Sequence, residues 1–78
     1  MEWIKRKVKI KDGVKFDGQS YAGFTGMTVY VGDNGMWWID LDDDCVSKFS
    51  YEYMKLCKEE GTAYDSICLA EDNFEFIE

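Results

Sequence analysis

Hydrophobic and polar side chains alternate along residues 27–41, and a turn sequence interrupts the alternation once. The alternation indicates two half-buried strands, because successive side chains of a strand point to opposite faces of its sheet. Asn34-Gly35 lies between the two segments, and both residues tolerate the positive φ that a tight hairpin requires. The pattern therefore predicts an antiparallel hairpin from residues 27–31 to residues 36–41.

The same alternation assigns each hairpin side chain to a face. On the first strand, one face is expected to carry Met27, Val29 and Val31, and the other Thr28 and Tyr30. On the second strand, one face is expected to carry Trp37, Ile39 and Leu41, and the other Met36, Trp38, Asp40 and Asp42. Adjacent tryptophans cannot both enter one core, so Trp38 is expected at the surface. The alternative places Trp38 under the C-terminal tail, against Phe74 or Phe76.

Shorter segments of extended chain are predicted on both sides of the hairpin. Residues 4–11 alternate and predict an opening strand whose outer face carries Lys5, Lys7, Lys9 and Lys11. A row of lysines is typical of an edge strand, since lysine discourages pairing with other chains. Asp12-Gly13 and Asp17-Gly18 are predicted turns around a short strand that includes Val14 and Phe16. Near the C-terminus, extended segments at residues 67–69 and 74–77 are expected to be broken at residues 71–73.

Residues 47–60 admit two interpretations. Apolar side chains recur at near-helical spacing, with Ser47 as a candidate N-cap and Gly61 as a stop, which predicts a helix. The recurring residues are Val46, Phe49, Tyr53, Leu56 and Cys57. In the other interpretation, residues 47–51 alternate as a strand, residues 52–54 turn, and a final strand runs through Leu56. The pattern alone does not separate the two.

Gly23 and Gly26 precede the hairpin as Gly-Phe-Thr-Gly, where the chain can bend sharply under Tyr21 and Phe24. With Trp-Ile-Asp-Leu-Asp-Asp at residues 38–43 and Phe-Ser-Tyr-Glu-Tyr-Met at residues 49–54, this segment resembles the small SH3-like barrels of the KOW type. The resemblance spans about residues 8–58. It implies a mainly β (or α+β) fold: a small antiparallel SH3-like barrel with one short helix or helical turn. KOW modules often contact RNA or ribosomal proteins, but the fold alone implies no activity.

Length and charge restrict the class of protein further. A chain of 78 residues is expected to form one domain with a small core. Residues 1–16 carry six cations against two anions, a net of +4, whereas residues 17–78 carry three cations against fourteen anions, a net of −11. Apolar runs are far shorter than the roughly 20 residues that span a bilayer, and no secretory signal is recognisable. A soluble cytoplasmic protein without membrane contact is therefore expected.

The residues with reactive side chains match no catalytic or metal motif. Cys45, Cys57 and Cys68 are odd in number and the chain has no histidine, so reduced thiols that bind no zinc are expected. Asp40, Asp42, Asp43 and Asp44 form the densest carboxylate group, but they lack the spacing of a calcium loop. A solvated acidic loop is expected there. The serines lack a histidine base, so we expect no enzyme activity and no cofactor.

The acidic body and the surface tryptophan predict a binding function. We expect a non-enzymatic protein that docks on a basic surface of a partner protein. The residues expected to make this contact are Asp40, Asp42, Asp43, Asp44, Trp38 and Met36. If that surface normally holds nucleic acid, docking would inhibit a nucleic-acid-binding enzyme by mimicry. In class, such a protein resembles the acidic phage-encoded inhibitors of the anti-restriction or anti-CRISPR type.

The sequence is also compatible with two other functions. One is a KOW-like barrel that binds nucleic acid through Lys5, Lys7, Lys9 and Lys11. The other is an adaptor module that grips a peptide with Trp37 or Trp38. The net charge of −11 on residues 17–78 would repel a polyanion, which makes direct binding of nucleic acid the less favoured reading.

Overall fold

The computed structural model describes residues 2–16, 18–61 and 64–77. Its strands are β1 (Glu2–Trp3), β2 (Lys7–Ile10), β3 (Lys15–Phe16), β4 (Gln19–Ser20), β5 (Thr25–Val31), β6 (Trp37–Leu41), β7 (Ser66–Leu69) and β8 (Phe74–Phe76). Its helices are α1 (Asp43–Val46) and α2 (Tyr51–Glu60), and a 3-10 turn, Glu71–Asn73, precedes β8. The described strand pairs are antiparallel. The predicted fold class, mainly β or α+β, is confirmed.

The main sheet has the strand order β7-β6-β5-β2-β8, and β1 pairs with β5 in line with β2. β3 and β4 form a separate two-stranded hairpin. Within the described ranges, β7 and β8 pair with no further strand, so the main sheet is open rather than closed into a barrel. The sheet is nevertheless curled, since the Trp37 ring of β6 meets Phe74 and Phe76 of β8 at centroid distances of 6.0 and 5.7 Å.

The predicted hairpin is formed by β5 and β6. Val31 pairs with Trp37, and Gly35 adopts φ +80° in the intervening turn. The prediction for β6 is confirmed, because Ile39 and Leu41 are buried while Trp38 is exposed.

The prediction for β5 was wrong, because the strand contains a β-bulge. The pairing with β6 shifts register between Thr28 and Tyr30, which makes Val29 the extra residue. Met27 and Tyr30 are paired with outer-face residues of β6, whereas Thr28 is buried. Simple alternation cannot describe a strand whose faces exchange at a bulge.

The lysine-bearing strand is an inner strand of the sheet. β2 pairs with β5 on one side, where Lys7 lies opposite Met27, and with β8 on the other, where Lys9 lies opposite Glu75. Val8 is buried, as the alternation predicted. Edge protection is therefore the wrong explanation for these lysines, which project from the middle of the outer face.

Residues 51–60 form a helix, so the alternative of a strand and a turn is wrong. Ser50, rather than Ser47, is the N-cap, and its hydroxyl accepts a hydrogen bond from the Tyr53 N–H at 3.2 Å. Gly61 ends the helix with φ +73°, as predicted. Ser47 instead follows the short helix α1, where its hydroxyl donates to the Asp44 carbonyl at 2.8 Å.

The shorter elements agree with the sequence pattern in part. Gly13 has φ +94° in a predicted turn, and β3 begins at Lys15 rather than Val14. The pattern did not predict β4, the partner of β3. Asp17 of the predicted Asp17-Gly18 turn lies outside the described residues. The extended segments near the C-terminus and the break at residues 71–73 are confirmed.

A cluster of aromatic rings fills the core beneath the sheet. Tyr21 meets Phe24, Phe49 and Tyr53 edge-on, at centroid distances between 5.5 and 6.0 Å. The hydroxyls of Tyr21 and Tyr53 share a hydrogen bond. Burial, and then this bond, raise the pKa of Tyr53. The cluster packs the helix α2 against the segment before β5. The inner face of the sheet is therefore covered, and its outer face is exposed to solvent.

Candidate protein-binding surface

Three aromatic side chains form a row across the outer face of the sheet. Trp3 of β1 is paired with Tyr30 of β5, and Tyr30 is paired with Trp38 of β6, so all three project from one face. The ring centroids are 5.0 Å apart for Trp3 and Tyr30, and 6.2 Å apart for Tyr30 and Trp38. Trp3 is 69% exposed and Trp38 is 39% exposed. We call these three residues the aromatic row.

Two irregularities of the backbone assemble the aromatic row. The bulge at Val29 brings Tyr30 to the outer face, where strict alternation would have placed it inside. On the neighbouring strand, the register with β5 differs by one residue between β1 and β2, which leaves a break at residues 4–6. The Thr28 hydroxyl bonds the backbone in that break, to Arg6 N–H at 2.8 Å and to the Ile4 carbonyl at 2.5 Å. This break sets Trp3 opposite Tyr30.

The structure separates the two tryptophans of β6 as the alternation predicted. The alternative in which the tail covers Trp38 is wrong, because Phe74 and Phe76 pack against Trp37 instead. Met36 lies in the turn before β6 rather than in the strand. There its N–H donates to Asn34 Oδ1 at 3.0 Å, and its carbonyl accepts from Gly32 at 2.9 Å.

The four predicted aspartates divide between the sheet and α1. Asp40 lies on the outer face, two residues from Trp38, and its Oδ1 accepts a hydrogen bond from Ser66 Oγ at 2.8 Å. Asp42 is half-buried, and its Oδ2 accepts from Thr25 Oγ1 at 2.6 Å. The structure therefore places these two carboxylates beside the same sheet face.

Asp43 and Asp44 lie in the first turn of α1 and are exposed. Carboxylates at that end of a helix are favoured by its unpaired N–H groups. These two aspartates therefore have a structural reason to be there, and they add negative charge near the sheet without belonging to its outer face.

The two lysines of β2, Lys7 and Lys9, each have a carboxylate neighbour. Lys7 Nζ lies 3.7 Å from Asp42 Oδ2, and Lys9 lies directly opposite Glu75. Such neighbours lower the positive potential that a phosphate backbone would meet. Two further lysines, Lys5 and Lys11, are exposed just before and just after β2.

The remaining reactive groups are dispersed. Among the described residues, no group of three or more histidine, cysteine, aspartate or glutamate side chains is placed to hold a metal ion. Cys45 and Cys57 are buried, Cys68 is half-buried, and none of them forms a disulfide. Burial raises the pKa of the Cys68 thiol, which keeps it protonated at neutral pH. In the part of the chain that is described, no helix has the length and apolar character needed to cross a membrane.

The sequence pattern identified Trp38 but missed the rest of the aromatic row. The face of Tyr30 depends on the bulge, which leaves no mark in the order of apolar and polar residues. Trp3 precedes the alternating segment, so the alternation assigned Trp3 to neither face. Comparison of the chain with protein-family models, with curated proteins and with solved structures found no match.

Proposed function

We propose that this is a non-enzymatic interaction protein that docks on a basic surface of a partner protein through the outer face of its sheet. The observation that carries this proposal is the position of Trp38, exposed at one end of the aromatic row and two residues from Asp40. Tryptophan is enriched at the centres of protein interfaces, and a contiguous exposed apolar patch often marks one. The carboxylate beside it favours a cationic partner.

The distribution of charge supports a basic partner. The chain has a net charge of −7, and residues 17–78 alone have −11. Such a field attracts and orients a basic surface before contact, and mainly raises the association rate. In this proposal, Asp43 and Asp44 contribute to the long-range attraction, whereas Asp40 and Asp42, beside the outer face, contact the partner. Met36, in the neighbouring turn, lies at the border of the proposed site.

In its more specific form, our proposal is that the partner is a nucleic-acid-binding enzyme that this protein inhibits. The acidic protein would occupy the basic groove in place of nucleic acid, as phage-encoded inhibitors of the anti-restriction or anti-CRISPR type do. Small size, strong negative charge and carboxylates on an open sheet face support this form. We also propose that the fold is related to the SH3-like barrels, which the antiparallel strands and the short helix support.

Nucleic-acid binding is the second candidate function. An exposed aromatic row on the same sheet face as Lys7 and Lys9 combines stacking surfaces with cations, which is how many sheets bind single strands. The carboxylates beside both lysines oppose this function. The two candidates differ in the sign of charge that the partner must carry, so a binding experiment separates them.

The experiment is a comparative pull-down from a nuclease-treated cell lysate. The bait is the intact protein, with two matched variants: one in which the four aspartates at positions 40 and 42–44 are changed to asparagine, and one carrying Trp38→Ala. We expect the wild-type bait to capture a basic protein that both variants capture poorly and that high salt releases. Displacement of this protein by added DNA or RNA would support mimicry. Equal capture by the four-asparagine variant would contradict the proposal. Retention of the added DNA or RNA by the bait itself would favour the second candidate.

A further inference from the structure

β7 is an edge strand, and its hydrogen-bonding pattern shows which backbone groups face the open edge. The Leu41 N–H donates to the Asp65 carbonyl at 2.8 Å, and pairing with β6 continues in register to Leu69. Bonded residues alternate along an antiparallel pair, so every second residue of β7 directs its N–H and C=O toward β6. The intervening residues, Ser66 and Cys68, direct theirs away from β6. No described strand pairs with them there.

The strand at the other end of the strand order, β8, is less open. The Phe74 N–H at the start of β8 is already bonded to the Glu71 carbonyl within the 3-10 turn. Among the described residues, none bonds to the outward backbone groups of β7 in this way. The sequence of β7, Ser-Ile-Cys-Leu, contains neither a charge nor a proline. Charges and prolines are the usual devices by which edge strands avoid added strands. Of these two terminal strands, β7 is therefore the better suited to accept another strand.

The side chains beside this edge define the kind of strand that fits. Ser66 lies opposite Asp40, and Cys68 lies opposite Trp38, on the outer face. Both edge side chains are small, so the carboxylate and the indole remain accessible from the edge. Because neighbouring strands are about 4.8 Å apart, a lysine or arginine on an added strand can extend across Ser66 to Asp40 or across Cys68 to Trp38.

The alternate residues of an added strand would face the interior. They would lie beside Ile67 and Leu69, which are only 6% and 3% exposed. Apolar side chains there would continue the core past its present edge. We infer that β7 accepts, by backbone pairing, an extended segment of the basic partner in which lysine or arginine alternates with apolar residues. This inference rests on the proposed function and names the way in which the partner binds.

A second copy of this chain fits the edge less well. Pairing of two β7 strands would bring together two molecules that each carry a net charge of −7. It would also provide no cation beside Asp40 or Trp38, since β7 itself has no charged residue. A basic segment supplies the missing charge in both places.

The test uses the intact protein and a short synthetic peptide in which lysine and valine alternate. Two matched peptides carry backbone N-methyl groups, one on every lysine and one on every valine. In the inferred arrangement the added strand runs antiparallel to β7, with its lysines opposite Ser66 and Cys68 on the outer face. The N–H groups of these lysines then bond to β7, so only methylated lysines block pairing. We expect the lysine-methylated peptide to bind at least about tenfold more weakly than the valine-methylated one, measured by calorimetry, because several hydrogen bonds are lost.

Equal affinities of the two methylated peptides, or no binding of the unmethylated peptide, would overturn the inference. If both methylated peptides bind equally but release at high salt, acidic docking survives and only strand pairing fails. If none of the three peptides binds but the pull-down still yields a basic partner, the proposed function also survives, and only the role of β7 fails. Formation of a dimer by the peptide-free protein, blocked by the peptide, would assign the edge to a second copy instead.

Variants of Ser66 test the same strand pairing by changing the protein instead of the peptide. Ser66→Pro removes an N–H that faces away from β6, and Ser66→Ala is its control, since it also loses the hydroxyl bond to Asp40 but keeps the N–H. We expect only Ser66→Pro to lose the difference between the two methylated peptides. Should Ser66→Pro not fold, amide hydrogen exchange decides. The peptide must slow exchange at Ser66 and Cys68 of the unmodified protein, and unchanged exchange there would overturn the inference.

Discussion

The Thr28 hydroxyl accepts a hydrogen bond from the Arg6 N–H at 2.8 Å, in the break between β1 and β2. Thr28 is fully buried, and the same hydroxyl donates its proton to the Ile4 carbonyl at 2.5 Å. One side chain thus satisfies two backbone groups that the break would otherwise leave without a partner. Because the break also sets Trp3 opposite Tyr30, this buried hydroxyl supports the aromatic row on the other side of the sheet.

Replacement of Thr28 by valine should therefore destabilise the protein more than the small change in side-chain shape suggests. Valine preserves the shape but leaves the Arg6 N–H and the Ile4 carbonyl unpaired, which should cost about 1–3 kcal/mol in the free energy of unfolding. Urea denaturation measures this cost. Thr28→Ser, which keeps the hydroxyl, is the control and should lose less. A valine variant at least as stable as the serine variant would show that the hydroxyl does not matter.

Gly26 should not tolerate a side chain, although it lies within the strand β5. A Cβ at this position would stand 2.4 Å from the Asp40 carbonyl oxygen of the paired strand β6. Gly26→Ala must therefore push β5 and β6 apart, at a cost of about 1–3 kcal/mol typical of overpacking. Thermal unfolding monitors the loss. Met27→Ala, at the exposed neighbouring position, is the control, and equal melting temperatures for the two variants would contradict the close approach.

Gly35 differs from Gly26, because there is room for a side chain at this position but the backbone conformation disfavours one. Apart from Gly35 itself and its two chain neighbours, no described residue has an atom within 4 Å of a Cβ built there, yet φ is +80°. Gly35→Val should cost about 1–2 kcal/mol, because a β-branched residue resists positive φ, whereas Gly35→Asn should lose much less. Denaturant midpoints of the two variants give the comparison. If valine and asparagine are equally tolerated, the turn conformation does not limit stability.

The pKa of Tyr53 predicts how stability changes at alkaline pH. Its raised value in the folded protein means that, above about pH 10, the unfolded chain loses this proton while the folded chain keeps it. The unfolded state then binds fewer protons, so stability falls as pH rises above that point. Tyr53→Phe should show a shallower fall between pH 9 and 11 than wild type, in urea titrations at each pH. Parallel falls would contradict the raised pKa.

Local signals account for what the sequence predicted correctly. Alternation and Asn34-Gly35 together define the β5–β6 hairpin, and Gly61 stops α2, because each depends on residues close in the chain. The choice between helix and strand before Gly61 was undecided, because the same apolar residues suit both. Ser50, which caps the helix, and Tyr53, which bonds to Tyr21 across the core, decide it in the structure.

Features that depend on distant pairing were not predictable from the pattern. β2 becomes an inner strand only because β8, more than sixty residues later, pairs with it. The bulge at Val29 arises where β5 must match partners on both sides, and it alone decides the face of Tyr30. The candidate site was therefore predicted in part: Trp38 and Asp40 from alternation, but not Trp3 or Tyr30.

The proposed docking surface predicts that its charges and its aromatic rings act on different rate constants. Attraction by the aspartates is long-range and is screened over about 8 Å at physiological salt, so it mainly sets the association rate. The indole of Trp38 acts only after contact and mainly slows dissociation. Changing Asp40, Asp42, Asp43 and Asp44 to asparagine should slow association and flatten its salt dependence. Trp38→Ala should speed dissociation by an amount equivalent to roughly 2 kcal/mol or more, the cost of losing a hot spot.

Binding kinetics against the partner recovered from lysate, measured at low and at physiological salt, check both parts. Trp3→Ala tests whether the aromatic row acts as a unit, and it should also speed dissociation. Tyr51→Ala is the control, because Tyr51 is exposed on α2, far along the chain from the row. This variant should not change the dissociation rate. If Trp3→Ala and Tyr51→Ala behave alike, Trp38 binds alone. If the four-asparagine variant associates at the wild-type rate at low salt, docking does not depend on the acidic surface, and the lysines of β2 become the surface to examine, because they are the cations that share the outer face with the aromatic row.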